Sequence, residues 1–230
     1  EAINVLSEGL SKGFRKSLLY ARRAQVYMEL KNYKLALSDL NNAIAGDNRN
    51  AELLKDRAKI NYLSENYKQS LDDYNRAISL SPSDLNLYLH RALAKNKNGL
   101  YPEAIQDMNF YLDLFPKNDS AWYYCGLINF EHENYMDALN CFNKSLILNT
   151  SDPRYFAARG NTYLNTRTYK YAWKDFAMSL DIDPGNPEVY LNKGIASINL
   201  GDNSDACFCF QMAKKFGSPK ADNFLDKYCK

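Results

Sequence analysis

The 230-residue chain carries 29 Lys and Arg against 27 Asp and Glu, a formal charge of +2, with no basic run that would follow a phosphate backbone, so nucleic acid is not expected as a partner. Hydrophobic residues make up 46% of the sequence, yet no apolar stretch approaches the roughly 18 residues that suggest a membrane span. Five cysteines, an odd number at irregular spacing, supply no disulfide framework, and the reduced state is expected for Cys125 and Cys141.

The chain is periodic. From Ser17 onward the same residue types return every 34 residues without a gap, in frames 17–50, 51–84, 85–118, 119–152, 153–186 and 187–220. Residues 1–16 lie on the same lattice, because Ala36, Leu40 and Ala43 have counterparts 34 residues earlier at Ala2, Leu6 and Gly9. They are expected to form the second helix of a truncated repeat, so the chain reads as a fragment of a longer solenoid. In the first three frames helical spacing is broken at Lys31-Asn32, Glu65-Asn66 and Asn98-Gly99-Leu100, and each frame is expected to be a helical hairpin. Pro102 lies in the first turn of a helix, where a missing N–H costs little. Pro153 does the same after Asp152, a good N-cap, and Thr166-Arg167-Thr168 marks the turn of that frame. Residues 221–230 are expected to be a C-terminal capping helix, with Phe224 in the aromatic column and Tyr228 where earlier frames have a small residue.

Reading down the frames, the fourth place holds Tyr20, Leu54, Tyr88, Trp122, Phe156 and Tyr190, and the eighth Ala24, Ala58, Ala92, Gly126, Gly160 and Gly194. The seventeenth is Tyr33, Tyr67, Tyr101, Tyr135 and Tyr169, then Asn203; the twentieth is small throughout, from Ala36 to Ala206. The twenty-fourth is Leu40, Tyr74, Met108, Phe142, Phe176 and Phe210, and Pro82, Pro116 and Pro184 close three frames. This pattern resembles the tetratricopeptide repeat family over nearly the whole chain. The resemblance implies an all-α fold, a right-handed superhelical α-solenoid of helix-turn-helix repeats. Departures are local: Asn61, Lys95, Asn129 and Ser197 stand where the first helix usually has Tyr, and Tyr111 occupies a column of small residues.

Candidates for catalysis or metal binding are few. His90 and His132 belong to no metal or phosphate motif and read as helix-surface residues, while Cys207 and Cys209, two apart on a helix, point about 200° apart rather than toward one metal. No catalytic residue, metal site or cofactor is expected. One correlation is informative. The seventh and twenty-third places pair Arg23 with Asp39, Arg57 with Asp73, Arg91 with Asp107 and Arg159 with Asp175, and both charges vanish together in the fourth frame, leaving Cys125 and Cys141. An Arg–Asp tie between the two helices of a hairpin explains the joint loss, and it requires Cys125 and Cys141 to lie close. By the same logic Cys209 faces Lys193 and not another thiol.

In the family that the sequence resembles, first helices line the concave face. The corresponding stripe here, at the second, fifth, ninth and twelfth places, includes Lys55, Lys59 and Tyr62; Leu89, Leu93 and Asn96; Tyr123, Leu127 and Phe130; Arg154, Asn161 and Leu164; and Leu191, Ile195 and Ile198. Part of it is expected to pack against the neighbouring first helix. The rest would form an apolar groove with a basic end at Lys55 and Lys59, suited to an extended peptide or a partner helix. A subgroup of the family binds the C-terminal carboxylate of heat-shock chaperones through a Lys and Asn, then an Asn, then a Lys and Arg in successive first helices. Here Lys55 is followed by Lys59 rather than Asn, and the next two frames offer His90, Ser120 and Tyr124, so chaperone-tail binding is disfavoured. The expected function is a non-catalytic protein-interaction scaffold. The alternatives are the substrate-recognition arm of an enzyme whose catalytic domain is outside this fragment, and an array that self-associates through its open N-terminal helix.

Overall fold

A computed structural model describes residues 1–13 and 15–229, and these contain fourteen α-helices and no strand. They fall into two compact units, Glu1–Leu114 and Phe115–Lys230. The first unit contains α1 (Ala2–Ser11), α2 (Lys16–Glu29), α3 (Tyr33–Gly46), α4 (Ala51–Leu63), α5 (Tyr67–Leu80), α6 (Asn86–Lys97) and α7 (Tyr101–Leu114). The second contains α8 (Asp119–Glu131), α9 (Tyr135–Leu148), α10 (Pro153–Asn165), α11 (Tyr169–Ile182), α12 (Pro187–Leu200), α13 (Asn203–Lys215) and α14 (Ala221–Tyr228). Within each unit successive helices pack as hairpins, α2 on α3, α4 on α5 and α6 on α7 in one, α8 on α9, α10 on α11 and α12 on α13 in the other. No helix among the described residues is long and apolar enough to cross a membrane.

Local sequence fixes where these helices start and stop. Asn50, Asn118, Asp152 and Asn186 each cap the helix that follows by accepting from a backbone N–H of its first turn. At each hairpin turn one residue is left-handed: Lys31, Glu65, Gly99, Glu133, Arg167 and Gly201, with φ from 56° to 81°. The next N–H then reaches back across the helix end, as from Asn66 to the Asn61 carbonyl at 2.8 Å and from Thr168 to the Tyr163 carbonyl at 2.8 Å, the hydrogen bond of a Schellman C-cap. Only two of these six turns use glycine, so four carry the steric cost of a Cβ in the left-handed region. Tyr111 is buried, donates to Asn86 Oδ1 at 3.2 Å, and belongs to the one frame whose first helix begins a residue late, at Asn86.

The hairpins of the first unit are tied as the charge correlation requires. Arg23 forks onto Asp39 at 2.7 and 2.8 Å, Arg57 onto Asp73 at 2.8 and 2.7 Å, and Arg91 onto Asp107 at 2.7 and 2.8 Å. All three aspartates are buried. The remaining Nη1 donates to the second helix of the preceding hairpin: Arg57 to Asn41 Oδ1 at 2.8 Å, Arg91 to Asn75 Oδ1 at 3.2 Å, and Arg23 to Ser7 Oγ at 2.7 Å. Each guanidinium therefore closes its own hairpin and holds it to the one before, a second role that the sequence reading did not anticipate. The signal was present as a column of Asn41, Asn75, Asn109 and Asn143 in the frames.

In the second unit each hairpin has a different tie. Arg159 repeats the clamp, forking onto Asp175 at 2.7 and 2.8 Å and donating to Asn143 Oδ1 at 2.7 Å. Cys125 and Cys141 meet with their sulfurs 2.6 Å apart, both buried, as the lattice requires. Lys193 lies 3.6 Å from Cys209 Sγ and binds Asp205 Oδ1 at 2.8 Å, with Trp173 Nε1 also donating to Asp205 at 2.7 Å. Burial opposes the Asp205 charge, but the bonds from Lys193, Ser197 and Trp173 outweigh it and hold the pKa below the ordinary carboxylate range. Burial pushes the Cys209 thiol up to about 11.

Packing follows the same division. In the second unit the eighth-place glycines lie directly under the twenty-fourth-place phenylalanines, and a Cβ on Gly160 would sit 2.8 Å from Phe176 Cε1. Gly126 under Phe142 and Gly194 under Phe210 are equally tight. In the first unit the small residue is the buried Ala24, Ala58 or Ala92, in frames whose twenty-fourth place is Leu40, Tyr74 or Met108.

The tail departs from expectation. α14 packs on α13 with Phe224 5.0 Å and Tyr228 6.3 Å from the Phe210 ring, but it is also joined covalently, by a disulfide between Cys207 and Cys229. No regular cysteine framework in the sequence foretells this bond. Pairing depends on the tail folding back over α13, which column spacing does not encode. His90 is only partly exposed and stacks on Tyr74 with centroids 6.0 Å apart.

Candidate binding groove

The groove stripe divides into three kinds of position. Tyr123, Leu127 and Phe130 on α8, each partly exposed, share one cavity of about 230 Å³ with Phe142 of α9 and with Arg154, Ala157 and Asn161 of α10. The helical period puts the three α8 residues on one stripe, and the small Ala157 and Ala158 of α10 leave the space between the two first helices open. Its floor is aromatic: the Tyr123 ring lies 5.0 Å from Tyr155 and 6.0 Å from Phe142. Tyr155 is held in turn by its hydroxyl, which donates to Asp119 Oδ2 at 2.9 Å. Asp119 also accepts from Asn149 Nδ2 at 2.8 Å, and these bonds keep its carboxyl below the usual range.

The rim is polar. Arg154 stands 5.6 Å from the Tyr123 ring centroid, oriented by a fork onto Asp152 with bonds of 2.9 and 2.6 Å. Asn161 Oδ1 accepts from Asn192 Nδ2 of α12 at 2.9 Å, which leaves the amide NH2 of Asn161 and the carbonyl of Asn192 to bond a ligand. A neutral donor and acceptor beside an apolar floor match a peptide main chain and its side chain. Leu164 and Ile195 are partly exposed but pack against the core of α11 to α13. They border the groove rather than line its cavity.

In the first unit the stripe is largely occupied. Leu89 and Asn96 are buried, 9% and 8% exposed, and present little accessible surface, which corrects their assignment to a groove; Leu93 is partly exposed. Tyr62 packs edge-on to Tyr67 at 5.5 Å within the core cluster. The expected basic end is also corrected. Lys55 is locked by Glu52 at 2.6 Å and Asp84 at 3.4 Å, and although burial works against its charge, these partners raise its pKa. Lys59 is exposed and borders a separate shallow recess with Asp56 and Glu29, so the charge there is mixed. Among the described residues no group of three or more His, Cys, Asp or Glu is placed to hold a metal ion.

Paired helices in register, closed by a small-on-large contact and open along the first helices, define an α-helical repeat protein of the scaffold kind. The chain belongs to the tetratricopeptide repeat family, whose model matches residues 21–84 and 89–153. No curated protein matches it by sequence. Among solved structures, a tetratricopeptide repeat protein from Parabacteroides merdae aligns with a TM-score of 0.79 at 18% identity, over 99% of this chain and 91% of that one. YrrB, described as a TPR protein with an unusual peptide-binding site, aligns with a TM-score of 0.62 at 19% identity, over 82% and 97%. A chain of the Cut9-Hcn1 hetero-tetramer aligns with a TM-score of 0.78 at 14% identity; this protein is covered over 99% but spans only 46% of that chain. At such identities the likenesses show the fold alone, an α-solenoid of helical hairpins.

Proposed function

We propose that the protein is a non-catalytic scaffold that holds an extended peptide segment of a partner along α8, α10 and α12. The observation that carries this reading is the partly exposed aromatic cavity of Tyr123, Leu127 and Phe130 next to the Asn161–Asn192 amide pair. One large apolar side chain of the peptide enters the cavity, and the peptide main chain bonds the amide pair, the division of labour by which clefts combine affinity with orientation. A peptide-binding site on a protein of the same fold, YrrB, supports the reading by analogy.

The test is selection of peptides from a random displayed library on the intact protein, followed by affinity measurement on variants. Selected sequences should share one aromatic or large aliphatic anchor. Asn161→Ala, at a partly exposed position, should weaken a selected peptide roughly 5- to 10-fold and Tyr123→Ala roughly 30-fold or more, with Asn161→Ala leaving the melting temperature unchanged. Selected peptides that bind both variants as tightly as the parent would overturn the proposal.

A further inference from the structure

The geometry points to a second covalent cross-link, between Cys125 and Cys141, so that the mature protein is a doubly stapled scaffold of an oxidising compartment. This is independent of the groove. Three observations carry it. The two sulfurs, unbonded in the structure, are 2.6 Å apart, inside the contact distance of separate thiols, and both side chains are buried where the α8–α9 hairpin holds them together. They occupy the two places that in four other frames hold an Arg and its Asp, so the lattice brings a bonded pair together here as it does elsewhere. The chain also already contains one disulfide, Cys207–Cys229, and a setting that oxidises that pair oxidises a second pair already in contact.

Surroundings support the assignment. The Asn129 amide lies beside the pair, its Nδ2 3.6 Å from Cys125 Sγ and 4.0 Å from Cys141 Sγ, while also donating to the Cys125 carbonyl at 2.9 Å. Among the described residues no group of three or more His, Cys, Asp or Glu that could hold a metal competes for the thiols. Cys209 is the contrast: its sulfur lies 3.6 Å from Lys193 Nζ and 3.8 Å from Asp205 Oδ2 rather than against another thiol, and the proposal leaves it reduced.

The chemistry is thiol–disulfide exchange during folding, before the hairpin closes over the sulfurs. One of the two thiolates attacks a disulfide of an oxidised protein or small-molecule thiol, forming a mixed disulfide and releasing one thiolate. The other cysteine's thiolate then displaces the second. Two thiols lose two protons and two electrons, and the external disulfide leaves as two thiols.

The experiment counts free thiols in the unmodified chain. Protein folded in a glutathione redox buffer is denatured without reductant in the presence of a maleimide, its intact mass is measured, and the linked peptides are mapped; a reduced control takes up five labels, one per cysteine. One label, on Cys209, with Cys125 and Cys141 peptides linked, is the expected result. Three labels, on Cys125, Cys141 and Cys209, overturn the proposal, as do five labels or any link that joins Cys209 to another cysteine.

Discussion

The two units share one 34-residue lattice but hold their hairpins together by different means. The first repeats a single device three times, an arginine forked onto a buried aspartate with one N–H spent on the preceding helix. The second uses an arginine clamp once, a thiol pair once and a lysine with Asp205 once. The packing shifts in parallel, from alanine with Leu40, Tyr74 or Met108 to glycine beneath phenylalanine. The difference teaches that the lattice dictates which places meet, and that any pair of side chains able to satisfy each other there will serve. Buried ion pairs add little net stability because desolvation offsets their attraction, so replacing a whole pair costs far less than removing half of one.

That account can be broken most sharply at a clamp. Arg57→Ala leaves Asp73 buried without its partner and should cost about 3–5 kcal/mol in a urea melt. The double variant Arg57→Cys/Asp73→Cys, which copies the other unit's solution, should recover most of the loss. If the double variant is as unstable as the single, the two ties are not interchangeable.

The small-on-large contact comes next. Glycine to alanine inside a helix ordinarily stabilises by about 1 kcal/mol, but Gly160→Ala should destabilise by about 1–3 kcal/mol because its Cβ would meet the Phe176 ring. Adding Phe176→Leu, which restores the first unit's pairing, should reverse the sign of the Gly160→Ala step, and a double-mutant cycle reads this directly.

Turns distinguish the frames more mildly. Glu65→Gly and Arg167→Gly should each raise stability by roughly 0.5–1 kcal/mol, since both residues are left-handed, whereas Gly99→Ala should lower it by about 1 kcal/mol.

The smallest expected effect is a pH dependence confined to the first unit. Burial and the nearby Lys59 and Lys55 lower the His90 pKa, Asp84 opposes them, and Tyr74 covers the ring. A folded pKa below the unfolded value means that the unfolded chain binds the proton first. The stabilisation is therefore complete above about pH 6.5 and is lost as the pH falls below that value through the folded pKa. His90→Gln should remove that part of the slope in urea midpoints compared between about pH 7.5 and 5.5.

What was legible in the sequence is what repeats. The all-α repeat fold, the Arg–Asp ties, the nearness of Cys125 to Cys141 and the Lys193–Cys209 contact all follow from columns, because a repeat fold maps equal spacing onto equal surroundings. The bond from Arg57 to Asn41 was equally periodic, but it joins neighbouring frames rather than the two helices of one. Left-handed turn residues at Lys31, Glu65, Glu133 and Arg167 were hidden because no glycine marks them. In the stripe, spacing identified the face of the first helices but not its depth: it could not show that Leu89 and Asn96 are buried or that Lys55 is neutralised by Glu52 and Asp84. Cys207–Cys229 was out of reach for a different reason, since one of its partners lies beyond the last full frame.

The central functional claim, a peptide held on the first helices of the second unit, is tested most directly by an amide and side-chain NMR titration with a library-selected peptide. The account predicts shift changes gathered at Tyr123, Leu127, Phe130, Asn161 and Asn192, with Lys59 and its recess unmoved. Changes gathered instead on the second helices, or around Lys59, would contradict it.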